Sequence, residues 1–387
     1  MQFFIYGISP ATLHPKNKRQ DAISQFAIRN PHFAILNLCS SVVKTSFLGE
    51  LGRFPTYRDG VASLPVRIEH RRMSNQKELC VLYGEELKAY SFEDPHPFGR
   101  KRLSAFWQEF QNRGLDQLVT VEPPQICKDE DLLSFHTRDY VKFVSRASLE
   151  GEGYLDYGDT PAYIGIYEAA RLLVGTTLKA VRLVMEDKYK RAFCPQAGLH
   201  HARRERAGGF CVFSDIGVAI ELLKGKYGLK RIGYVDIDAH HGDGIFYAYE
   251  SDPSVLITDI HQDGRTLYPG TGFTNEMGKD EAQGTKLNFP MPPGADDDDF
   301  MKAFEKAESF LESNKPEIIL FQCGADSAAG DPLAELQFTS KCHAHAARRL
   351  RQLADKSASG RLIAMGGGGY DLQNLAHVWC EVVKELA

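Results

Sequence analysis

Short apolar runs of strand length alternate with amphipathic segments from Glu78 to the end of the chain. Apolar runs that are separated by helices are typical of parallel strands covered on both faces. The pattern therefore predicts an α/β protein with a parallel sheet, whose functional groups gather at the carboxyl ends of the strands. The clearest strand segments are Cys80–Tyr83, Ile232–Val235, Val255–Ile257, Ile318–Phe321 and Leu362–Met365.

Three helix starts can be read from capping residues. Asp159, Thr160 and Pro161 combine a capping side chain with a proline of the first turn, so we expect a helix to begin there. A second helix is predicted from about Ser214. The acidic run at 296–299 lacks the glycine and the terminal glutamate of a calcium loop, so we interpret it as the N-terminus of a third helix.

Residues 1–76 differ from the rest of the chain, because prolines interrupt every candidate element and no periodicity is visible. We expect an unassigned N-terminal extension over 1–76 and a single domain over 77–387. Met73 directly precedes the first regular strand and is an alternative start, which would make the extension dispensable.

Composition narrows the class of protein. The 387 residues carry 46 basic and 51 acidic side chains, a net charge of −5, and 43% are hydrophobic, as in an ordinary globular protein. No basic stripe is present, so direct nucleic-acid binding is not expected. Because the chain has no apolar run of membrane-spanning length, no signal peptide and no regular cysteine spacing, we expect a cytoplasmic protein that contacts no membrane.

The densest polar cluster follows the strand Ile232–Val235 directly. Three carboxylates and two imidazoles within eight residues cannot all be buried unless they are paired or bind a metal. An Asp, His, Asp set holds Zn²⁺ with one position left open, so the cluster favours a metal site over a solvated loop. Its members are Asp236, Asp238, His240, His241 and Asp243.

Three smaller clusters complete a possible chemistry. The tandem pair His200 and His201 suits acid–base work, because histidine titrates near neutral pH. Asp326 follows another strand, where it either binds the metal or caps a turn. Four glycines present Tyr370, an uncharged donor suited to an oxyanion. Together these groups indicate metal-assisted amide hydrolysis without a covalent intermediate.

Five motifs follow one another along the chain: LHHARRERAGGFCVFSD at 199–215, YVDIDAHHGDG at 234–244, YPGTG at 268–272, CGADSAAGD at 323–331 and GGGGY at 366–370. In this order they resemble the zinc-dependent histone deacetylase family, including its bacterial and archaeal acetoin-utilisation members, over about 79–387. The resemblance implies the three-layer α/β/α arginase–deacetylase fold around a mostly parallel eight-stranded sheet, with residues 77–387 as the catalytic domain.

The resemblance also implies roles for the clustered residues. One zinc ion per chain would be held by Asp238, His240 and Asp326, although the pattern does not separate Zn²⁺ from Fe²⁺. The catalytic positions are His201 as general base, His200 as its electrostatic or proton-shuttling partner, Asp243 and Asp236 as their respective orienting carboxylates, and Tyr370 as oxyanion donor.

The same resemblance implies a substrate path. Phe210 and Tyr268 match the walls of an acyl-lysine tunnel, and Asp159 matches a rim carboxylate that holds the substrate backbone. Leu333 is apolar where polyamine-specific relatives carry a carboxylate, which favours acyl-lysine. The expected partner is an acetylated protein or a small acetylated amine, and the oligomeric state stays open.

A structural potassium site is implied as well, formed by the carbonyls of Asp236, Asp238 and His240 with Asp259 and Ile260. Asp259 departs there from the usual serine. Three other functions are weighed against the deacetylase: an acetylpolyamine amidohydrolase, a binuclear manganese ureohydrolase, and a non-catalytic reader of acetyl-lysine.

Overall fold

One sheet is the scaffold of the molecule. The computed structural model describes residues 77–387, so the extension over 1–76 and Met73 lie outside the described residues. Within that range eight strands pair, and every neighbouring pair is parallel. The strands are β1 (Leu79–Leu82), β2 (Thr120–Glu122), β3 (Arg191–Cys194), β4 (Ile232–Asp236), β5 (Val255–Gln262), β6 (Lys286–Met291), β7 (Ile318–Gln322) and β8 (Leu362–Met365).

Nine α-helices accompany the sheet in the described part of the chain. None of them is long and apolar enough to cross a membrane. They are α1 (Lys101–Asn112), α2 (Asp129–Leu132), α3 (Arg138–Glu150), α4 (Ile166–Met185), α5 (Asp215–Gly225), α6 (Asp243–Ala248), α7 (Asp297–Asn314), α8 (Ser340–Ser357) and α9 (Leu372–Leu386).

Alternate side chains of six strands, β1, β3, β4, β5, β7 and β8, serve two separate cores, because successive residues of a strand point to opposite faces. On β1, Cys80 and Leu82 join the core under helices α2 to α6. Leu79 and Val81 join the opposite core, under α1, α7, α8 and α9. Helices therefore cover both faces of the sheet, and the predicted three-layer α/β/α architecture is confirmed, with a sheet that is parallel throughout.

The local predictions are confirmed at five strands and two helix starts. The Ser214 hydroxyl caps α5 by accepting the Gly217 N–H. The Asp296 carboxylate caps α7 by accepting the N–H groups of Asp298 and Asp299, so the acidic run is a helix N-terminus.

The helix predicted from Asp159 is wrong by several residues. Pro161 instead pairs with Tyr154 in an isolated antiparallel bridge, which closes this segment into a loop. Helix α4 begins at Ile166, after Gly165 has turned the chain with a φ of 95°. The capping residues at 159–161 therefore belong to a loop that precedes α4.

The strand order brings the motifs together. It runs β2-β1-β3-β8-β7-β4-β5-β6, so β3, β8, β7 and β4 are adjacent at the centre. All strands run the same way, and their carboxyl ends therefore meet at one edge of the sheet. Each of these four strands is followed by one of the polar motifs.

Candidate active site

Asp238, His240 and Asp326 converge at this edge. The ligating atoms of the three side chains all lie within 4.8 Å of one another. His240 Nδ1 is 3.1 Å from Asp238 Oδ1 and 3.1 Å from Asp326 Oδ2. Asp238 and Asp326 are buried, so the group forms the floor of the site.

Neighbouring groups hold the two carboxylates of this floor. Asp238 Oδ2 accepts from Gln322 Nε2 over 2.8 Å and from the Gly368 N–H over 2.8 Å. Asp326 Oδ1 accepts the Ala239 N–H over 2.9 Å. The carboxylates are thereby fixed before any ligand binds, as outer hydrogen bonds commonly do for metal ligands.

The charges of the floor suit a divalent cation. Burial and the negative charge of Asp238 raise the pKa of Asp326 to about 7. The shift arises because two buried carboxylates lie close together and repel each other when both are ionised. Burial opposes the charge of His240, but hydrogen bonds to Asp238 and Asp326 prevail and raise its pKa to about 10. Two carboxylate oxygens and one imidazole nitrogen form a donor set that fits Zn²⁺.

Glycine is required where the backbone approaches this floor. A Cβ atom at Gly368 would lie 2.0 Å from Asp326 Oδ2, and one at Gly324 would lie 2.1 Å from Asp238 Oδ2. No larger residue fits at either position without displacing a carboxylate. The third glycine of the GGGGY motif is therefore explained by contact with the floor.

The tandem histidines form two imidazole–carboxylate pairs beside the floor. His200 Nδ1 donates to Asp236 Oδ2 over 2.8 Å, and His201 Nδ1 donates to Asp243 Oδ1 over 2.8 Å. The two Nε2 atoms lie 3.0 Å apart. Because each Nδ1 faces a carboxylate and carries its own hydrogen, at most one proton fits between the two Nε2 atoms.

The two pKa values accordingly move in opposite directions. Burial opposes the charge of His200, yet the carboxylates of Asp236 and Asp238 raise its pKa to about 10. Burial and the positive charge of His200 lower the pKa of His201 to about 4. His201 is therefore the neutral member, and its Nε2 lone pair faces the single proton between the two rings.

Arg203 completes the second pair. Its Nη2 and Nε donate to Asp243 Oδ2 over 2.7 and 3.2 Å. Burial of Asp243 is outweighed by the hydrogen bonds from His201 and Arg203, which lower its pKa to about 2. Asp243 therefore stays ionised and keeps the Nδ1 hydrogen of His201 in place.

A buried arginine and an aspartate orient the loop that carries Tyr370. Arg102, on α1, donates from Nε to the Gly369 carbonyl over 2.8 Å and from Nη2 to the Gly367 carbonyl over 2.6 Å. The Tyr370 N–H donates to Asp331 Oδ2 over 2.7 Å. The backbone on both sides of the tyrosine is thus fixed by side chains from other segments.

Two aromatic rings flank the approach to the floor. The Phe210 ring lies edge-on to Tyr370, with ring centroids 5.9 Å apart. The Tyr268 ring is 5.0 Å from His201 and 6.4 Å from His240, and Tyr268 is 45% exposed. Both rings lie beside the predicted catalytic residues, and their role as tunnel walls stays a prediction.

The remaining predicted substrate residues lie on loops further out. Asp159 is exposed, and its carbonyl accepts from His96 Nε2 over 3.1 Å. Leu333 is half-buried, and its N–H donates to Asp331 Oδ1 over 2.9 Å. Leu333 thereby joins the aspartate that also holds the Tyr370 backbone.

Asp259 stands where the resemblance implies a potassium ligand. Its Oδ1 accepts from His261 Nδ1 over 2.6 Å, and its Oδ2 accepts the Gly242 N–H over 2.9 Å. Although burial opposes the charge of His261, Asp259 raises its pKa. These two bonds use one lone pair on each carboxylate oxygen, so a potassium site that includes Asp259 stays a prediction.

Four supporting residues are absent from the sequence-based prediction of the site. Gln322 ends β7 next to the CGADS motif, and this adjacency is the one signal that could have found it. Arg102 lies in none of the five motifs and reaches the glycine loop from 267 positions away. Arg203 and Asp331 lie within motifs, but nothing local reveals their partners.

A parallel eight-stranded sheet with carboxylates and imidazoles at its central carboxyl edge defines a protein of the α/β arginase–deacetylase fold. The family model described as the histone deacetylase domain matches residues 96–386, about three quarters of the chain. The chain therefore belongs to the histone deacetylase family.

Known relatives agree with this assignment. The acetoin utilization protein AcuC of Bacillus subtilis is 36% identical over 319 residues, covering 79% of this chain and 82% of that protein. A probable deacetylase of Archaeoglobus fulgidus is 32% identical over 298 residues, covering 76% and 81%. The crystal structure of the HDA15 HD domain matches with a TM-score of 0.74 at 27% identity, covering 80% of this chain and 88% of that chain.

Proposed function

We propose that this chain is a zinc-dependent deacetylase that hydrolyses the amide of N-acetyl-lysine in an acetylated protein. The observation that carries the proposal is the convergence of Asp238, His240 and Asp326 beside the His201–Asp243 pair. One zinc ion held by these three ligands would polarise the amide carbonyl and acidify a water at its open position.

The histidines and Tyr370 divide the proton transfers. His201 acts as the general base, because Asp243 holds its Nδ1–H and leaves the Nε2 lone pair available. His200, oriented by Asp236, acts as the electrostatic or proton-shuttling partner that supports return of the proton to the leaving amine. Tyr370 donates to the oxyanion, and burial with the charge of Asp326 keeps its pKa well above the usual value, so its proton stays in place.

The wall and rim residues favour acyl-lysine in a polypeptide over an acetylpolyamine. Phe210 and Tyr268 form an apolar slot, in which a charged ammonium would lose hydration without a partner. The exposed Asp159 offers an acceptor for backbone N–H groups, which peptides have and polyamines lack. Leu333 adds no charge that would attract a polycation.

Two alternative functions, a binuclear ureohydrolase and a non-catalytic acetyl-lysine reader, have weaker support. A binuclear ureohydrolase needs ligands for two metals, and the described residues contain one such group of three side chains. A non-catalytic reader would have no use for the His201–Asp243–Arg203 chain, which keeps a base neutral and oriented.

Tyr370→Phe tests the proposal directly. We expect zinc content and thermal stability to be retained, while kcat on an acetyl-lysine peptide falls about 10²–10³-fold, the usual effect of removing one oxyanion donor. Because the donor acts in the transition state, KM should change little. An unchanged kcat in the zinc-loaded variant would contradict the proposed mechanism.

A further inference from the structure

Phe210 has an unusual backbone for a wall residue. Its φ is +67°, a left-handed conformation that residues other than glycine rarely adopt. The conformation costs free energy, so it persists only where neighbouring contacts enforce it. The contacts that enforce it are therefore part of the construction of the wall.

Two buried side chains restrain Phe210 from both sides. Its N–H donates to Thr160 Oγ1 over 3.1 Å, and its carbonyl accepts from the Tyr90 hydroxyl over 2.7 Å. The Tyr90 oxygen also accepts the Val212 N–H over 3.0 Å. Thr160 and Tyr90 are both 0% exposed, so water does not compete for these bonds.

The same threonine closes the rim loop. The Thr160 hydroxyl contacts Asp156 Oδ2 and lies 3.2 Å from Asp159 Oδ1. Asp156 Oδ1 accepts the N–H groups of Gly158, Asp159 and Thr160 over 3.0, 3.1 and 3.0 Å. Asp156 thus gathers the backbone of the loop, and Thr160 connects that loop to Phe210.

His96 makes a second link between the rim and the wall. Its Nδ1 accepts the Phe98 N–H over 3.0 Å, so its Nε2 carries the hydrogen that is donated to the Asp159 carbonyl over 3.1 Å. Its ring packs edge-on against Phe210, with centroids 4.5 Å apart. Rim and wall are therefore joined by one hydroxyl and one imidazole.

We propose that Thr160, braced by Asp156, is a positioning residue that couples the rim carboxylate Asp159 to the wall residue Phe210 and thereby sets the affinity for acetyl-lysine peptides. This inference rests on the proposed deacetylase function. The hydrogen bonds of Thr160 go to the loop and to Phe210 and none to the floor, so its effect belongs to substrate binding. Preorganised contacts lower the entropy lost when a substrate binds.

Thr160→Val tests the coupling, because valine keeps the shape of threonine and removes the hydroxyl. The Phe210 N–H and the Asp156 carboxylate would each lose a partner. We expect KM for an acetyl-lysine peptide to rise about tenfold with kcat within about twofold, as for loss of a buried hydrogen bond that affects binding. Amide hydrogen exchange at residues 157–160 and 208–212 should accelerate together.

Two matched variants separate positioning from general loss of structure. Thr160→Ser restores the hydroxyl, so KM and exchange should return close to those of the unaltered chain. Thr176→Val removes a comparably buried hydroxyl on α4, which accepts the Gln125 N–H over 3.3 Å, away from the rim. It should leave KM and exchange at both loops unchanged.

Three results would overturn the coupling. They are a Thr160→Val chain with unaltered KM and exchange, a loss confined to kcat, or a Thr160→Ser chain as impaired as the valine variant. If the unaltered chain, loaded with zinc, turns over no acetyl-lysine peptide, the proposed function fails instead. Exchange at the two loops still decides in that case whether Thr160 joins them.

Discussion

The floor and the rim of the site are built in different ways. The floor side chains follow adjacent strands of one parallel sheet and are buried among their own hydrogen-bond partners. The rim and wall stand on loops, where Asp159 is exposed and Tyr268 is 45% exposed. Strand register fixes the floor, whereas individual side-chain bonds to loop backbone fix the rim.

This difference predicts a division of effects. Changes in the floor should abolish the reaction, because the reacting groups are held there before substrate arrives. Changes at the rim should alter which substrate binds and how tightly, because loop contacts cost less to rearrange than a buried polar network. Single substitutions can test separately whether a residue affects the reaction or the binding of substrate.

The largest effect is expected from Asp326→Asn. Asparagine keeps an oxygen for the Ala239 N–H but removes one of the charges that would hold zinc. We expect loss of bound metal, measured by elemental analysis, and loss of deacetylation to background. Zinc bound at one per chain with full turnover would show that the metal lies elsewhere.

The stability of the same variant provides an independent check. Burial and Asp238 raise the pKa of Asp326 to about 7, above its value in an unfolded chain. The folded metal-free chain therefore binds the extra proton below that pKa, and its stability falls as the pH rises towards 7. Asp326→Asn removes this dependence, so the metal-free variant should unfold at no lower temperature than the metal-free unaltered chain at pH 7.5.

A smaller effect is expected from Gly209→Ala, next to the base His201 beside the floor. A Cβ at Gly209, where φ is +52°, would lie 2.3 Å from His201 Cδ2 and displace the base. We expect kcat to fall about 10²-fold, the scale of a misplacement near 1 Å. Gly228→Ala is the control, because its φ of +68° carries similar strain with no atom within 4 Å.

Both glycine variants should be less stable by about 1–2 kcal/mol, because an alanine is strained in the left-handed backbone conformation. Only Gly209→Ala should also lose turnover, measured at a temperature where both remain folded. Equal losses of turnover in the two variants would mean that backbone strain, and not contact with His201, is responsible.

The sequence predicts the floor better than the rim for the same physical reason. Asp238 and His240 follow directly after one strand, so their place in the chain brings them together without knowledge of distant contacts. Thr160 was predicted to start a helix, and its bond to Phe210 spans 50 positions. Bonds between segments so far apart in the chain leave no periodic signal, which is also why the roles of Arg102 and Asp331 are not predicted.

The smallest effect is expected at the outer edge, from Leu333→Glu. Leu333 is half-buried beside Asp331, which holds the Tyr370 backbone, so a glutamate there would add negative charge at the proposed entrance. An acetylpolyamine keeps ammonium groups that this charge attracts, whereas a neutral acetyl-lysine peptide gains nothing. The ratio of kcat/KM for acetylspermidine to that for the peptide should rise about twofold to fivefold, the scale of an exposed charge pair. The gain should shrink as salt is added, because exposed charges are screened.

Leu333→Gln supplies the same size without the charge, so an equal change in that variant would assign the effect to shape. A fall in kcat on both substrates would mean that the edge is coupled to the floor through Asp331, and the division between rim and floor would then fail at this point.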